Sequence, residues 1–453
     1  GRCVRACNDL REVKVLQYKK KGMETYIGTL HEKLLEDANC RFCGACAEVC
    51  PTGTIRDKIN YPATERKEKL VPCRSTCPAN TDVPRYIRFV KEGKYDEAAA
   101  VIREKVPFPL ALGHVCSHVC ESECRRCAVN EPISIRNIKR YAAEKDTGKY
   151  WRNKGKQLQD TGKNICVVGA GPAGLTAAYY LRKQGHNVTV KEALPKAGGM
   201  LQYGLPSYRM PREELDQEIA YILESGIKLE TGVRVQNVTE LKAQYDAVLV
   251  AIGNHEGTLL PMEGNDAEGI LLNIDFLRNA SMGNETGIGK RVIVLGGGNV
   301  AFDCARTAKR LGSEEIHVAC LEARDKMTAD EEEIEQAQEE GIQNQVEVDF
   351  NAQYVLITLN GALLFDSGSA DILSFTFDEN RRAIIEKAED SYHEIEADTV
   401  IFAVGQRCGL SPEAGMERGR ANSIKADEKT LETDIQGVFA CGDVTYGTKS
   451  VIL

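Results

Sequence analysis

The chain has 453 residues, of which 28% are charged, and its formal net charge is −9. This acidic balance argues against nucleic acid or an anionic membrane as the main partner. No segment approaches the ~18 consecutive apolar residues of a membrane-spanning helix, so we expect no membrane insertion. The length is typical of about three domains.

Cysteines are concentrated near the N-terminus: of the 17 in the chain, twelve lie between Cys3 and Cys127. Closely spaced cysteines in a large chain favour metal or iron–sulfur sites over disulfides. The same pattern indicates a reducing compartment, and we predict a cytoplasmic location.

Residues 1–60 contain the run Cys40-x2-Cys43-x2-Cys46-x3-Cys50-Pro51. This spacing is that of bacterial ferredoxins, in which three close cysteines bind one 4Fe–4S cluster and the fourth binds another. A zinc site is the alternative, but its usual paired C-x2-C knuckles do not produce this run. We therefore predict a ferredoxin-like iron–sulfur domain here.

The partner half of the motif is expected upstream, and Cys3-x3-Cys7 matches its last two cysteines. In the crossed ferredoxin pattern, Cys7 joins Cys40, Cys43 and Cys46. Cys3 and Cys50 would then share the second cluster with two ligands before residue 1, so we expect this domain to be incomplete at its N-terminus. The 32 residues between Cys7 and Cys40 are interpreted as an inserted hairpin or helix.

Residues 61–150 are predicted to form a small helical domain. The polar stretch Tyr61–Leu70 is interpreted as a linker, and helical periodicity follows at Val83–Val90, Tyr95–Arg103 and Ile135–Lys145. Six cysteines in this domain can hold one or two 4Fe–4S clusters; the alternative is a helical domain with free or zinc-bound thiols. The candidate ligands are Cys73, Cys77, Cys116, Cys120, Cys124 and Cys127.

A dinucleotide-binding motif begins at residue 164. The apolar run Ile165–Val168 predicts a buried strand, a G-x-G-x-x-G turn follows, and Glu192 ends the next strand. The glycines allow a tight turn and close approach of a pyrophosphate, the helix N-terminus attracts phosphate, and the carboxylate suits a ribose hydroxyl. The predicted contacts are Gly169, Gly171, Pro172, Ala173, Gly174 and Glu192.

A second nucleotide motif follows the predicted strand Arg291–Leu295. Its turn has the G-x-G-x-x-A form, and its predicted contacts are Gly296, Gly298, Asn299, Val300 and Ala301. Glu322 follows the next strand, where a carboxylate accepts a bond from a ribose 2′-hydroxyl and repels a 2′-phosphate. This favours NAD(H) as the bound nucleotide. NADP(H) is the alternative, because Arg324 could pair with its 2′-phosphate. Glu322 could also be a solvated strand end that binds no ligand.

Two further segments, Asp246–Gly253 and Asp398–Gly405, repeat the pattern of a strand that closes on a glycine turn. Between the second motif and Asp398, residues 330–341 are strongly acidic and predict a solvated helix. Residues 351–382 alternate in short runs and predict a β-rich excursion.

Several segments resemble the family of the glutamate synthase small subunit. This family also includes the iron–sulfur region of dihydropyrimidine dehydrogenase and the large subunit of the bifurcating NADH-dependent ferredoxin:NADP oxidoreductase. The matching segments are Cys77-Pro78, Gly113–Cys124 and Asn130–Arg136. The family usually has two more cysteines before the equivalent of Cys73, and often a Glu or Gln ligand where this chain has Lys139. Residues 1–60 resemble the cluster arms of multi-subunit hydrogenases, formate dehydrogenases and respiratory complex I.

The resemblance implies an α/β fold with two Rossmann-like nucleotide-binding domains, for FAD and NAD(P), after the two iron–sulfur domains. It divides the FAD domain into residues 163–255 and 404–453, the second part incomplete at its C-terminus, with the NAD(P) domain at 256–403 between them. The segments that close on Gly253 and Gly405 would be the crossings between the two domains, with Gly253 a contact of FAD and Gly405 a contact of NAD(P). The remaining FAD contacts implied by the family are Gly198, Gly199, Gly442 and Asp443, the last of these on the ribityl chain.

These motifs predict an oxidoreductase subunit that moves electrons between NAD(P)H, FAD and 4Fe–4S clusters or ferredoxin. Hydride transfer needs two rings held together rather than an acid, base or nucleophile, so no catalytic residue is predicted. Flavin-based bifurcation stays an open hypothesis. The alternatives are a glutamate synthase small subunit that feeds a separate catalytic subunit, and a non-enzymatic adaptor whose clusters bridge other redox subunits.

A redox-active cysteine pair beside the flavin is not predicted, because the remaining cysteines are isolated, with no C-x2-C or C-x4-C spacing. Each is interpreted as a small buried residue. They are Cys166, Cys304, Cys320, Cys408 and Cys441.

Overall fold

The computed structural model describes most of the chain, in segments. The predicted linker at 61–70, Glu322 and residues 448–453 lie outside the described residues. No described helix is both long enough and apolar enough to span a membrane. The described residues are 1–11, 13–35, 37–38, 40, 43–56, 71–128, 130–154, 157–260, 265–320, 324–342, 354–359, 362–365, 371–377, 383–388, 392–409, 415–419 and 422–447.

The first sheet is parallel and has five strands, in the order Val438–Ala440, Ala247–Val250, Asn164–Val168, Asn187–Lys191, Lys228–Glu230. Its central strand is a run of apolar residues because helices cover both faces of such a sheet. Strand Val438–Ala440 comes from the C-terminal part of the chain, nearly 190 residues after its neighbour Ala247–Val250. The flanking helices are Pro172–Lys183, Met200–Tyr203, Arg212–Leu223, Val238–Lys242 and Asp443–Tyr446.

The second sheet is also parallel, in the order Glu315–Ala319, Arg291–Leu295, Thr399–Phe402, Ile270–Leu272. Its buried core consists mainly of Val, Ile, Phe and Ala side chains from these strands and the adjacent helices. The helices are Asn273–Met282, Asn299–Arg310 and Glu331–Glu339. The two predicted Rossmann-like sheets are therefore both present, and they confirm the predicted fold class.

Strands also occur in the predicted β-rich excursion. Tyr354–Leu359 pairs with Ala362–Phe365 in antiparallel fashion and with Tyr392–Ala397 in parallel fashion. Asp371–Phe377 and Ala383–Ala388 form a separate antiparallel pair.

Helices dominate the region from residue 71 to 154. Asp82 caps the N-terminus of helix Val83–Lys91, because its carboxylate accepts a hydrogen bond from the backbone amide of Arg85 at 3.3 Å. Gly113 lets two helices cross closely, because a Cβ there would lie 2.7 Å from the Cα of Arg140. The helices are Pro72–Ser75, Val83–Lys91, Tyr95–Arg103, Pro109–Val115, Val119–Ser122, Ile135–Glu144 and Lys149–Lys154.

Of the hairpin and the helix considered for the segment between Cys7 and Cys40, the structure has the hairpin. Its antiparallel strands are Leu16–Lys19 and Tyr26–Thr29. The short helix Arg2–Arg5 contacts the first of these strands and the short helix Ala45–Glu48, and Cys3 and Cys7 are part of the small core.

A buried carboxylate attaches the helical region to the first sheet. Glu218, on helix Arg212–Leu223, accepts bonds from the amides of Leu110 and Ala111 at 2.6 and 2.8 Å. These amides belong to the first turn of helix Pro109–Val115, where a helix presents unpaired N–H groups. Burial raises the pKa of the Glu218 carboxyl to about 7.

A buried ionic network joins the two sheets. Arg209, in the loop before helix Arg212–Leu223, donates to both carboxylate oxygens of Asp303 at 2.9 and 2.8 Å and pairs with Glu333 at 2.9 Å. Glu333 also accepts from Arg306 at 2.8 Å. The acidic segment 330–341 is a helix as predicted, but the expectation that it is solvated was wrong for Glu333, because Arg209 and Arg306 compensate its burial.

Replacing Glu218 by glutamine should weaken this attachment. The amide NH2 would face a backbone N–H, leaving a buried donor unpaired at a cost of about 1–3 kcal/mol. Because the folded-state pKa of Glu218 is raised from 4.5 to about 7, the wild type loses stability as the pH rises through this range. The difference in the free energy of unfolding between wild type and Glu218→Gln should therefore become smaller between about pH 5 and about pH 8. Thermal unfolding at both pH values measures it.

The control is Glu224→Gln at the C-terminal end of the same helix, since Glu224 forms an exposed ion pair with Arg152. Such pairs contribute about 0–1 kcal/mol. An equal effect of the two variants at both pH values would contradict the prediction.

Replacing Asp303 by alanine should destabilise the pairing of the two sheets. The change leaves Arg209 buried with one carboxylate instead of two, and loss of one partner of a buried ion pair costs about 3–5 kcal/mol. Urea unfolding would show this as a lower midpoint. Glu314→Ala is the matched control, because Glu314 pairs with Lys290 on the surface of the same sheet; a similar loss in both variants would contradict the prediction.

Candidate nucleotide and iron–sulfur sites

The first glycine loop connects strand Asn164–Val168 to helix Pro172–Lys183. Gly169 has φ +106°, and a Cβ there would lie 2.5 Å from the carbonyl oxygen of Ala251. A Cβ at Gly174 would lie 2.0 Å from the carbonyl oxygen of Gly169. Both positions therefore require glycine, for left-handed backbone and for close helix–strand packing respectively.

Segments that are distant in sequence meet at the start of this helix. A Cβ on Gly199 would lie 2.7 Å from the Cα of Gly171, and a Cβ on Gly442 would lie 2.8 Å from the Cβ of Ala173. The helix has no side-chain cap at its N-terminus, so its first amides are placed to bind phosphate. The structure thus brings the predicted loop, the segment of Gly198 and Gly199, and the segment of Gly442 and Asp443 to one place.

Glu192 lies beside the same loop and is 7% exposed. Its carboxylate accepts bonds from the amides of Ala170 at 2.7 Å and Leu194 at 2.8 Å. The side chain therefore holds the loop in shape, a role that the sequence did not predict. Each oxygen keeps a further lone pair, so a ribose hydroxyl can still bind there.

Gln202 is a residue that sequence reasoning missed. It lies in helix Met200–Tyr203, next to Gly199, and its side-chain oxygen is buried without a hydrogen-bond partner among the described residues. A buried acceptor without a donor is costly, and a ligand donor would satisfy it. Its position three residues after the predicted contact Gly199 is the signal that the sequence offers.

The second glycine loop repeats the geometry of the first. Gly296 has φ +139°, and a Cβ there would lie 2.5 Å from the carbonyl oxygen of Ala403. Ala251 and Ala403 each follow the strand that lies beside the glycine-loop strand. Gly298 begins helix Asn299–Arg310, which also lacks a side-chain cap, so this loop too can hold a pyrophosphate.

The residues after Gly298 differ in what they contact. The Asn299 side chain exchanges two bonds with Asp330, one from the Asn299 amide to the carboxylate at 3.0 Å and one from the Asp330 N–H at 2.7 Å. Val300 packs on the core of the second sheet and Ala301 is buried in it. Asn299 thus fixes the acidic helix to the loop.

The end of strand Glu315–Ala319 is the place where the two nicotinamide nucleotides would be distinguished. Glu322 lies outside the described residues. Arg324 forms a two-fold ion pair with Glu331, with one distance of 2.9 Å, so its guanidinium is already engaged by a carboxylate.

The two predicted crossings run side by side. Gly253 and Gly405 have φ +65° and +119°, and the strands that follow them, Glu256–Gly257 and Gln406–Arg407, pair in antiparallel fashion. His255 directly precedes the first of these strands, and burial and two nearby arginines lower the pKa of its imidazole to about 4, so this imidazole is neutral near pH 7.

The N-terminal thiols form one group. Burial, followed by the thiols of Cys43, Cys40 and Cys7, raises the pKa of Cys46 to about 11. These four cysteines are the set that the ferredoxin pattern predicts for one cluster. Cys50 stands apart, since hydrogen bonds from Ile55 and Thr52 lower the pKa of its thiol to about 7. Cys3 is buried in the local core.

The helical region contains a second group. Burial and the thiol of Cys116 raise the pKa of Cys120 to about 12, Lys139 opposes this shift, and Cys77 adds to it. Lys139 is buried, so its charge can stabilise thiolates that bind iron. Cys73 and Cys124 line a separate cavity, and Cys127 is exposed with its thiol toward the carbonyl of Glu121. In the described part of the chain, no three ligating side chains converge on a point where one metal ion would bind.

The isolated cysteines differ in burial. Cys166, Cys304 and Cys408 are buried, as expected, whereas Cys320 and Cys441 are only partly so.

Family models match the three parts of the chain. The model described as Pyridine nucleotide-disulphide oxidoreductase matches residues 163–452. Dihydropyrimidine dehydrogenase domain II, 4Fe-4S cluster, matches residues 66–151, and 4Fe-4S dicluster domain matches residues 1–54.

Curated relatives agree with these matches. The beta subunit of an NADP(+)-dependent formate dehydrogenase from Moorella thermoacetica is 36% identical over 417 residues, which are 84% of this chain and 57% of the relative. The beta subunit of an NADPH-Fe(3+) oxidoreductase from Geobacter sulfurreducens is 35% identical, over 84% of this chain and 61% of the relative. The chain thus spans less than two thirds of either protein. The NAD-dependent dihydropyrimidine dehydrogenase subunit PreT of Salmonella typhimurium is 31% identical, over 84% of this chain and 87% of the relative.

Among solved structures, FprA of Mycobacterium tuberculosis in complex with NADPH matches 64% of this chain and 80% of its own, with a TM-score of 0.51 and 18% identity. This likeness shows the fold of the two nucleotide-binding sheets. Taken with the glycine loops and the thiol groups, the matches show that the chain belongs to the pyridine nucleotide-disulphide oxidoreductase family, among its NAD(P)H-dependent flavin and iron–sulfur members.

Proposed function

We propose that the chain passes electrons between a nicotinamide nucleotide, FAD and 4Fe–4S clusters as one subunit of a larger redox assembly. The observation that carries this proposal is the combination, in one chain, of two glycine loops of the same geometry with two groups of clustered thiols. When bound, FAD supplies the exchange between two-electron hydride transfer and one-electron transfer. Flavin-based bifurcation is a hypothesis within this proposal, which inverted one-electron flavin potentials would support.

The first sheet is the proposed FAD site. Gly171 leaves room for the pyrophosphate, since the nearest atom to a Cβ there is the Gly199 Cα at 3.7 Å. The uncapped amides at Pro172–Lys183 would bind its charge, and Asp443, which begins a helix at the same place, is proposed to contact the ribityl chain. Gln202 would satisfy its buried oxygen with a donor of the flavin.

The second sheet is the proposed nicotinamide site, with Gly296, Gly298 and the uncapped helix Asn299–Arg310 around the pyrophosphate. We propose a preference for NAD(H), because Glu331 occupies the Arg324 guanidinium that would otherwise attract a 2′-phosphate. We propose that the two ligands meet near the two crossings, whose strands pair with each other.

The proposed partners are other redox subunits or a ferredoxin. The beta-subunit relatives are by name parts of oxidoreductases with further subunits. Helical contacts such as Glu218 with Leu110 and Ala111 support a route for electrons from the first sheet to the thiols, since they fix these parts against each other.

Replacing Gly442 by valine should abolish flavin binding. The valine side chain would collide with the Cβ of Ala173. The backbone at this position also has a φ of +78°, which branched residues rarely adopt. We expect at least a tenfold lower FAD-to-protein ratio in the purified variant. Gly232→Val is the matched control, because Gly232 has φ +72° but open space around it. Equal flavin loss in both variants would show that backbone strain, and not the site, is responsible.

Anaerobic titration with NADH and NADPH tests the function itself. We expect NADH to bleach the flavin at lower concentration than NADPH, followed by EPR signals of reduced clusters.

Glu331→Gln should release Arg324 and improve the use of NADPH several-fold, consistent with an added charge contact of about 1–2 kcal/mol. Arg324→Ala should leave NADH reduction unchanged. A wild type that prefers NADPH and loses this preference in Arg324→Ala would refute the assignment, and failure of both nucleotides to bleach bound flavin would refute the function.

A further inference from the structure

The hairpin of the N-terminal region lies in a segment that carries a large share of the exposed apolar side chains. Among the described residues, sixteen large apolar side chains are exposed, and seven of them lie between Leu10 and Leu35. Single exposed apolar residues are common on protein surfaces, whereas a concentration of them usually marks an interaction site. The strands Leu16–Lys19 and Tyr26–Thr29 form the middle of this segment.

The hairpin has one face on the thiol core and one face toward solvent. Leu16 is buried with Cys7 in the core of this region, and successive side chains of a strand point to opposite faces. Lys19, three residues after Leu16, therefore lies on the outward face, where Tyr26 is its partner in the antiparallel register. A Cβ on Gly28 would lie 3.3 Å from Cγ of Lys19 and from Cε2 of Tyr26, so both side chains extend over this face.

The tip of the hairpin combines positive charge with an exposed apolar side chain. Of the three consecutive lysines Lys19–Lys21, only Lys20 forms an ion pair among the described residues, with Glu24 at 3.3 Å. Met23 lies in the turn between the strands and is fully exposed. Lysines on a hairpin can protect strand edges from association. Met23 and Tyr26 beside them have the opposite effect, so protection does not account for this surface.

We call the outward face and the tip the hairpin surface, which consists of Lys19–Lys21, Met23 and Tyr26. Tyr18 does not belong to it, because its hydroxyl lies against Gly1. The charge of this region is opposite to that of the chain: residues 1–60 contain eleven Lys and Arg against eight Asp and Glu, whereas the chain has 58 against 67. An acidic partner would therefore be attracted to this region and repelled by the remainder of the chain.

The hairpin surface is also next to a proposed cluster. Val15 is buried, and Ile27 packs, in the same small core as Cys7, Cys40 and Cys46. The two-stranded sheet therefore lies between these thiols and the outward face. A partner that exchanges electrons would be brought close to the cluster, which favours a redox protein over a membrane as the occupant.

We propose that the hairpin surface is the docking site of a separate, acidic electron-transfer protein of the ferredoxin kind. Lys19–Lys21 would attract and orient its carboxylates. Met23 and Tyr26 would pack against it, in keeping with the enrichment of methionine and tyrosine at interfaces.

The inference rests on the proposed function for the role of the partner, but binding is measured without nucleotide. Its failure would therefore leave nucleotide-to-flavin transfer untouched. Failure of both nucleotides to bleach the flavin would in turn leave the measured binding unchanged.

The test uses the full chain, reconstituted anaerobically with iron and sulfide, and a purified acidic bacterial ferredoxin with two 4Fe–4S clusters as the probe. Calorimetry gives the Kd at about 0.05 M and about 0.5 M salt, because salt screens exposed charges. We expect binding that weakens with salt. Lys19→Glu combined with Lys21→Glu should raise the Kd roughly tenfold at the lower salt and much less at the higher. Met23→Ser should weaken binding at both.

The matched control is Lys228→Glu combined with Lys290→Glu. It changes the net charge by the same amount, at exposed lysines on the two parallel sheets, and should leave the Kd within about twofold of wild type. A similar loss in both double variants, or a wild-type Kd that does not depend on salt, would overturn the proposal.

A second measurement needs no variant and so does not depend on how a variant folds. Carbodiimide cross-linking of wild type should join the lysines of the hairpin surface to carboxylates of the ferredoxin, as identified by mass spectrometry. Cross-links confined to lysines elsewhere in the chain would contradict the proposal.

Two other occupants give different results with the same variants. Binding to vesicles of phosphatidylglycerol that is lost in the Lys19→Glu and Lys21→Glu variant, without binding of ferredoxin, would identify a membrane surface. A concentration-dependent dimer in sedimentation that this variant abolishes, again without binding of ferredoxin, would identify a second copy of the chain. Either result would overturn the proposal.

Discussion

The close approach of a glycine to the carbonyl at the end of a neighbouring strand determines both nucleotide sites. At Gly169 and Gly296, a Cβ would lie 2.5 Å from the oxygens of Ala251 and Ala403. This contact is possible only without a side chain and with positive φ, so each loop folds tightly over its sheet. Because the same approach occurs in both sheets, the helix that follows each loop begins with its amides facing the edge where a pyrophosphate would lie.

The parts of the molecule are positioned by buried charges rather than by apolar contacts alone. Arg209 reaches from the first sheet to Asp303 and Glu333 of the second, and Glu218 binds the first turn of a helix in the iron–sulfur region. Buried charges are tolerated only with partners in fixed positions. Such contacts therefore restrict how the sheets and the thiol groups are arranged, which matters for electron transfer because its rate depends on distance and orientation.

Thiol chemistry in this chain depends on which surfaces meet. Cys43 belongs by spacing to the N-terminal group and by position also faces Cys73 and Cys124. Lys139, unsuited as an iron ligand, is instead buried beside Cys120, where its charge favours thiolate.

The sequence by itself determined the glycine loops with the strands before them and the groups of cysteines, because these depend on local periodicity and on spacings within one turn or strand. Between Cys7 and Cys40 it left a hairpin and a helix as alternatives. The tertiary structure decided the rest. It engaged Glu192 and Asn299 in bonds to Ala170 and Asp330, buried Glu333, left the Gln202 oxygen without a partner among the described residues, and placed Cys43 beside Cys73. These features require segments far apart in the chain to meet, and no local pattern encodes which surfaces will do so.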